Sequence, residues 1–543
     1  MPPSTPKDSP APTPAAGPAP VPPRELPLEA GESWWGGRVV DAAHMPYGAG
    51  TPFRSSLHAG AHSGGNQAQP FLVSSTGRYV WNDAPFDFAF ESAVLRLSAA
   101  VKPWTVDRAG TTLREGFHAA ARRFFPPSGR MPDAAMFTAP QYNTWIELGY
   151  DQTEERILDY ARTIVAAGYP PGVLMIDDNW QDDYGAWDFA PRRFSRPKAM
   201  IDELHTLGFR VMLWVCPFVS PDSATGRELA RRRLLLRQQS ASLEVVGKDT
   251  PNDAALIRWW NGASAVLDLS HPETVAWFAN CLARLVREFG VDGFKFDAGD
   301  SHFYVAPPGS GGFRSFAPRT PEEHTMDFAR IGRDFPLNEY RAGWKCAGQP
   351  LAQRLRDKDH SWTALRELIP GVIAQGLMGH AFTCPDMIGG GLAGAFENGP
   401  PLDAELVVRS AQVHALMPMM QFSLAPWRAL APEPARLCLA AARLHAAHGD
   451  AILRLARNAA ATGEPIVRPL EWQWPHQGHA AIADQFMLGD DLLVAPVVTK
   501  GATHRRVAFP PGKWRGDDGS VVTGPVHADV AAPLERLPFF RRD

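Results

Sequence analysis

Cysteine is scarce in this 543-residue chain: Cys216, Cys281, Cys346, Cys384 and Cys438 are odd in number, widely spaced and never in CxxC spacing. That excludes a disulfide framework or thiolate zinc site and favours a reducing compartment. No stretch approaches ~18 uninterrupted apolar residues. The first residues lack the basic-then-apolar layout of a secretory signal. The expectation is a cytoplasmic protein without a membrane partner. Excess charge of one sign is missing too. A formal net charge of −4 leaves no electrostatic footprint for nucleic acid or an anionic surface. No GxSxG elbow is present and no cysteine has an obvious local partner, so the common nucleophilic triads have no foothold. The pairs His58/His62, His445/His448 and His476/His479 fall away from strand ends. No metal and no cofactor are therefore expected.

What is present reads as several folding units. Residues 1–30 hold eleven prolines among Ala, Ser and Thr. Such a segment buries too little apolar surface to offset the entropy of ordering it, so it is read as a disordered tail. Residues 31–128 form an N-terminal β region, with short apolar runs such as Gln69–Ser74 and Phe88–Leu97 between Gly, Asn and Ser punctuation. Residues 129–470 alternate short apolar runs with helices, the pattern of an α/β fold with a parallel sheet. One helix is expected after a capping box at Asp151 and Glu154, followed by a strand at Val173–Ile176. Another runs over Pro197–Leu207 before the strand Phe209–Val215. A long one follows a cap at Ser270 and ends at Gly290, before Val291–Phe296. Ala381–Cys384 and Pro465–Pro469 are further strand candidates. The count points to a (β/α)8 TIM barrel with insertions at Ser220–Ala263 and Gly299–Pro336, an open doubly wound sheet being the alternative. Residues 471–543 return to alternation and are read as a C-terminal β-sandwich.

A TIM barrel places its chemistry where strands run out into loops, so a carboxylate just after an apolar run is a site candidate. Val173–Ile176 delivers Asp177 and Asp178, then Trp180. Val291–Phe296 delivers Asp297, then Asp300. Ala381–Cys384 delivers Asp386 ahead of three glycines. Any one of them could cap a helix or close a turn, but their convergence on one rim favours chemistry. A carboxylate cluster serves either as acid/base machinery or as a divalent-cation ligand set. Glycosyl transfer to water needs only two carboxylates and a sugar-shaped pocket.

Three segments, Val291-Asp-Gly-Phe-Lys-Phe-Asp-Ala-Gly-Asp300, Ile176-Asp-Asp-Asn-Trp180 and Asp484-Gln-Phe-Met-Leu-Gly-Asp-Asp-Leu-Leu-Val-Ala-Pro496, together resemble glycoside hydrolase family 31 over roughly residues 130–540. Ser361-Trp362 and Pro385-Asp-Met-Ile-Gly-Gly390 are most similar to the branch of the myogenesis-regulating glycosidase and its bacterial relatives. The resemblance implies a retaining α-glycosidase acting on a small oligosaccharide or glycoside, with α-galactosides first. An α-glucosidase or other α-hexosidase is the alternative, and a non-catalytic carbohydrate-binding relative is a further one. By the same resemblance Asp297 is the nucleophile and Asp357 the acid/base, 29 residues before Asp386 and five before Trp362. The local Arg356-Asp357-Lys358-Asp359 text keeps Asp359 in competition. Substrate contacts are implied for Asp177, Asp178, Trp180, Trp214, Trp260, Lys295, Arg341 and Asp386, with Arg354 or Arg356 substituting for Arg341 if the loop is shifted. Ser423 stands where the family's α-glucosidases carry a sugar-binding histidine.

Overall fold

The computed structural model describes residues 21–60, 66–238, 253–308, 312–391 and 402–543. Eight parallel strand positions close into a ring, which decides for the barrel over an open sheet. In chain order they are Gln141–Asn143, Val173–Ile176, Arg210–Val215, Gly293–Phe296, Leu337–Tyr340, Gln353–Arg354, a split seventh strand and Gln421–Phe422. Each pairs with the next, and the eighth returns to the first through Gln421–Gln141. The seventh strand comes in two halves. Thr383–Cys384 pairs with the sixth strand and Met387–Ile388 with the eighth. Between them Asp386 adopts a φ of +69°, so the chain kinks there.

Helices cover the ring from outside, so the second strand reads Val-Leu-Met-Ile and is buried on both faces. Each such side chain contributes ~1.5–3 kcal/mol through burial. The helices Glu154–Ala166, Pro197–Thr206 and Pro272–Phe289 lie close to where the sequence puts them. Two caps differ. Thr153, not Asp151, accepts from the Arg156 amide, because the Asp151 carboxylate is taken by the Arg156 guanidinium. His271, not Ser270, caps the third helix. The Ser270 hydroxyl is spent on Asp268, and Pro272 supplies the preorganised first turn. Gly290 closes that helix at φ +81°.

The N-terminal region is two antiparallel sheets. One orders Arg24–Pro27, Val94–Ser98, Asp87–Glu91 and Phe53–Ser56. Arg24–Pro27 thus corrects the expected extent of the tail: it pairs with Val94–Leu97 because Leu26 finds a buried seat. Residues 1–20 of the tail lie outside the described residues. The second sheet is built on Gln67–Ser74, and its edge strand Gly343–Trp344 comes from the barrel's connection between the fifth and sixth strands. That shared strand ties the N-terminal region to the rim. Val467–Arg468, read as a barrel strand, instead pairs antiparallel with Phe486–Leu488. The C-terminal β unit is one six-stranded sheet whose long pair, His504–Gly516 and Val521–Ala531, shifts register between Phe509 and Gly512. Among the described residues no helix is long and apolar enough to cross a membrane.

Candidate active site

The carboxyl ends of the strands surround a cavity of about 510 Å³ lined by Trp145, Tyr150, Asp177, Asp178, Trp214, Trp260, Lys295, Asp297, Arg341, Asp357, Met387 and Gly391. Asp297 follows the fourth strand directly, its amide still bonded to the Val215 carbonyl. Ala298 then turns away at φ +57° and returns its N–H to Asp297 Oδ1 at 2.8 Å. Trp214 Nε1 donates to Asp297 Oδ2 at 2.9 Å, and Arg341 Nε lies 3.3 Å from Oδ1. Burial works to raise the pKa of this carboxyl. Arg341, Lys295 and Arg354 outweigh it with the Trp214 bond and hold Asp297 well below the usual carboxylate range. The group stays ionised at any ordinary pH.

Lys295 Nζ sits 2.6 Å from Asp177 Oδ2 and 4.0 Å from Asp297 Oδ2, so one buried ammonium serves two carboxylates. Asp178 is different in kind. Its Oδ2 accepts from Tyr184 Oη at 3.0 Å and Asn261 Nδ2 at 2.7 Å, and among the described residues no cation pairs with it. Burial and the neighbouring Asp177 charge push its pKa up to about 7.

Asp357 reaches the same cavity from the loop after the sixth strand. Arg341 Nη1 donates to its Oδ2 at 2.9 Å and Arg354 Nη1 to its Oδ1 at 2.8 Å. One guanidinium, Arg341, thus touches both Asp297 and Asp357, while Asp300 Oδ2 holds its other edge at 2.9 Å. Trp260 lies over that guanidinium at 5.0 Å and is 45% exposed at the cavity mouth. It arrives on the hairpin Leu256–Trp259 and Gly262–Val266, inside an expected insertion. Residues 239–252 of that insertion lie outside the described residues.

Three expected contacts are moved by the structure, and Ser423 is placed away from the cavity. Trp180 is fully buried and donates to the Trp214 carbonyl at 2.8 Å, behind the cavity wall. Arg354 is fully buried beneath the floor, where it joins Asp357, Asp386 at 2.5 Å and Glu339 at 3.2 Å. Asp386 is consumed there by Arg354 and by the Lys358 amide and ammonium. Ser423 is buried with its hydroxyl on the Gly390 carbonyl at 2.7 Å, away from the cavity lining. Asp359 is exposed and accepts from Ser361 Oγ. The lining residues missed from sequence are Trp145, Tyr150, Met387 and Gly391. Trp145 stands two residues beyond the first strand, so the strand-end rule finds it once Gln141–Asn143 is recognised as a strand.

The site's geometry can be set beside known proteins. The pattern described as the glycosyl hydrolases family 31 TIM-barrel domain matches residues 131–437, and the family 31 C-terminal domain matches residues 463–543. The chain belongs to glycoside hydrolase family 31. The myogenesis-regulating glycosidase of Mus musculus is 35% identical over 431 residues, 77% of this chain and 58% of that protein. The 1,3-alpha-isomaltosidase of Kribbella flavida is 31% identical over 374 residues, 64% of this chain and 49% of that protein. The family 31 chain therefore spans about half the length of these curated relatives. A family 31 alpha-xylosidase from a soil metagenome, solved with xylose, shares the fold with a TM-score of 0.80 at 20% identity, over 96% of this chain and 79% of that one.

Proposed function

We propose that this chain is a retaining α-glycosidase whose nucleophile is Asp297 and whose acid/base is Asp357. The observation that carries the reading is the pair of carboxylates lining one cavity across a single arginine, with one of them held ionised by buried cations. Asp297 attacks the anomeric carbon while Asp357 delivers a proton to the glycosidic oxygen, and a covalent glycosyl-enzyme forms. Asp357 then takes a proton from water, which attacks the same carbon and releases the sugar with its configuration retained. Asp177, fixed by Lys295, and Asp178 face the sugar hydroxyls as acceptors, with Trp214 and Trp260 as apolar walls.

The sugar is proposed to be a terminal α-linked hexoside of the gluco type. The relatives named above are an isomaltosidase, an α-xylosidase and a glycosidase without a stated sugar. None of these names speaks for the α-galactoside expected first from sequence. Galactosides stay in the test as a separate arm.

The test is a panel of nitrophenyl α- and β-glycosides with wild type, Asp297→Ala, Asp357→Ala and Asp359→Ala. The expected result is cleavage of one α-anomer, no detectable turnover in Asp297→Ala, and a ~10²–10⁴-fold loss of kcat/KM in Asp357→Ala that disappears with a dinitrophenyl leaving group. Leaving-group rescue confined to Asp359→Ala would move the acid two residues. Binding without cleavage in wild type would make the chain a carbohydrate-binding relative.

A further inference from the structure

Gly389, Gly390 and Gly391 follow the second half of the split seventh strand. Two of them answer to the backbone. Gly389 and Gly390 sit at φ +102° and +82°, in the left-handed region where a side chain is strained. Gly391 lies outside that region, so no left-handed turn calls for a glycine there. What a side chain at this position would meet is the acid. A Cβ on Gly391 would stand 2.5 Å from Asp357 Oδ1, 2.9 Å from Asp357 Cγ and 2.8 Å from Met387 Cε. Atoms do not pack that closely, so the neighbours would have to give way. Met387 Cε is the free end of a flexible side chain and can swing aside. The Asp357 carboxylate is held from its other side by Arg341 at 2.9 Å and Arg354 at 2.8 Å.

Gly391 is itself fixed in place. Its amide donates to the Lys358 carbonyl at 3.2 Å, and its own carbonyl accepts from Trp145 Nε1 at 2.9 Å. The Gly390 carbonyl accepts from Ser423 Oγ at 2.7 Å. On the side of the acid, the Lys358 amide donates to Asp386 Oδ2 at 3.1 Å and Lys358 Nζ to the Pro385 carbonyl at 2.8 Å. The loop that carries Asp357 and the turn that carries Gly391 are thus bonded to each other around the point where they touch, and neither can back away alone. Asp386 and Ser423, which do not reach the sugar cavity, belong to this scaffold.

We propose that Gly391 is a positioning residue for the acid/base: its bare Cα is the surface against which the Asp357 carboxylate is set, opposite the two arginines. The proposal rests on Asp357 being the acid. A general acid works only within hydrogen-bond reach of the oxygen it protonates, and a misplacement of about 1 Å costs on the order of 10²-fold in rate. One methyl group at residue 391 is enough to impose such a shift.

The experiment uses the full chain as wild type, Gly391→Ala, Asp357→Ala and the double variant. The substrates are the nitrophenyl and dinitrophenyl α-glycosides and the α-glycosyl fluoride of the sugar selected by the aryl panel. The fluoride carries no aglycone, so its turnover reports the reacting groups free of any contact between a leaving ring and residue 391. In Gly391→Ala, kcat/KM is expected to fall about tenfold or more on the nitrophenyl glycoside and to stay within about threefold on the dinitrophenyl one, which needs no proton. Azide, which attacks the anomeric carbon without a base, is expected to raise fluoride turnover in Gly391→Ala and not in wild type. In the Asp357→Ala background the same substitution is expected to change neither kcat/KM nor melting temperature, since the carboxylate it displaces is gone. If Gly391→Ala does not fold, the melts decide: a double variant that melts with Asp357→Ala supports the proposal, and one that also fails to fold overturns it. An unchanged nitrophenyl-to-dinitrophenyl ratio in a folded Gly391→Ala, or an equal loss on both substrates, overturns the proposal and leaves the acid reading standing. An Asp357→Ala enzyme with no selective loss on the nitrophenyl glycoside overturns both.

Discussion

Around and beneath the active-site cavity, Lys295, Arg341 and Arg354 converge on Asp177, Asp297 and Asp357. At the junction of the N-terminal helix Leu113–Phe124, the long helix Pro432–Thr462 and the C-terminal sheet, Arg114, His118 and Arg468 converge on Glu464. Both regions bury carboxylates among cations, and in both a carboxyl is held below its ordinary pKa. They differ in what the oxygens have left to do. Glu464 Oε1 meets Arg114 and His118, and Oε2 meets Arg468 at 3.0 Å and Asn458 at 3.4 Å, so its acceptor capacity is consumed by protein. Asp297 and Asp357 are just as well partnered on one side but face an open cavity on the other, Asp357 with 24% of its side chain exposed. A buried ion network marks a reactive site only where a space adjoins it, and the Glu464 cluster works as a clamp between three segments.

The largest stability change that tests this contrast comes from beneath the active site. Arg354→Met removes the one guanidinium in contact with Glu339, Asp357 and Asp386 and leaves buried carboxylates short of a counter-charge. The expected loss is ~3–5 kcal/mol, measured by urea unfolding. Asp357 also loses an anchor, so kcat/KM on the glycosyl fluoride is expected to fall in the fraction that remains folded. Unchanged stability would mean that Lys295 and Lys358 suffice to balance those acids.

Glu464→Gln comes next, with an expected loss of about 1–3 kcal/mol at neutral pH from weakened charge-assisted bonds. The pH dependence has a definite sign. The His118 bond, with Arg468 and Arg114, overcomes burial and pulls the Glu464 pKa down to about 2, so its contribution is complete above the ordinary glutamate range near 4.5 and fades as pH falls towards 2. The gap between wild type and variant should shrink between pH 5 and pH 2, while glycosyl fluoride hydrolysis at pH 7 stays with wild type. A pH-independent gap would assign the effect to packing, and a loss of turnover would end the description of this cluster as a clamp.

The nucleophile is legible in sequence for a physical reason. Gly293–Phe296 is buried on both faces, so its apolar run points straight at Asp297. The fifth, sixth and eighth strands give no such signal, because the barrel interior is polar. Gln421 Nε2 donates to Gln141 Oε1 at 2.9 Å and to Glu339 Oε2 at 2.7 Å, while Arg354 lies against Glu339. Strands that carry Gln, Glu and Arg into a core break the pattern from which strands are read. The same packing misled the site reading at Arg354 and Asp386. Both types and positions fit substrate binding, and only three-dimensional pairing shows that they spend their charge on each other. Of the two groups that hold Asp178, Tyr184 follows it by six residues, whereas Asn261 comes from the turn of a hairpin 83 residues away and has no local signature.

The smallest effect is the sharpest comparison, because it sets two aspartates in one loop against each other. Asp357 is held by two arginines at 2.9 and 2.8 Å and faces the cavity. Asp359, two residues on, is exposed and accepts from the Ser361 hydroxyl, which also caps the helix Trp362–Leu377 through the Ala364 amide. Removing the Asp359 carboxyl leaves that cap in place, since Ser361 Oγ accepts from Ala364 independently of where its own proton goes. Asp359→Ala is expected to change stability by less than about 0.5 kcal/mol and to keep kcat/KM on the glycosyl fluoride within twofold, measured beside Asp357→Ala. A large loss with a nitrophenyl substrate that a dinitrophenyl leaving group restores would mean the loop reorients to bring Asp359 into the cavity when substrate binds, and the two arginines on Asp357 would then mark a resting arrangement rather than a reactive one.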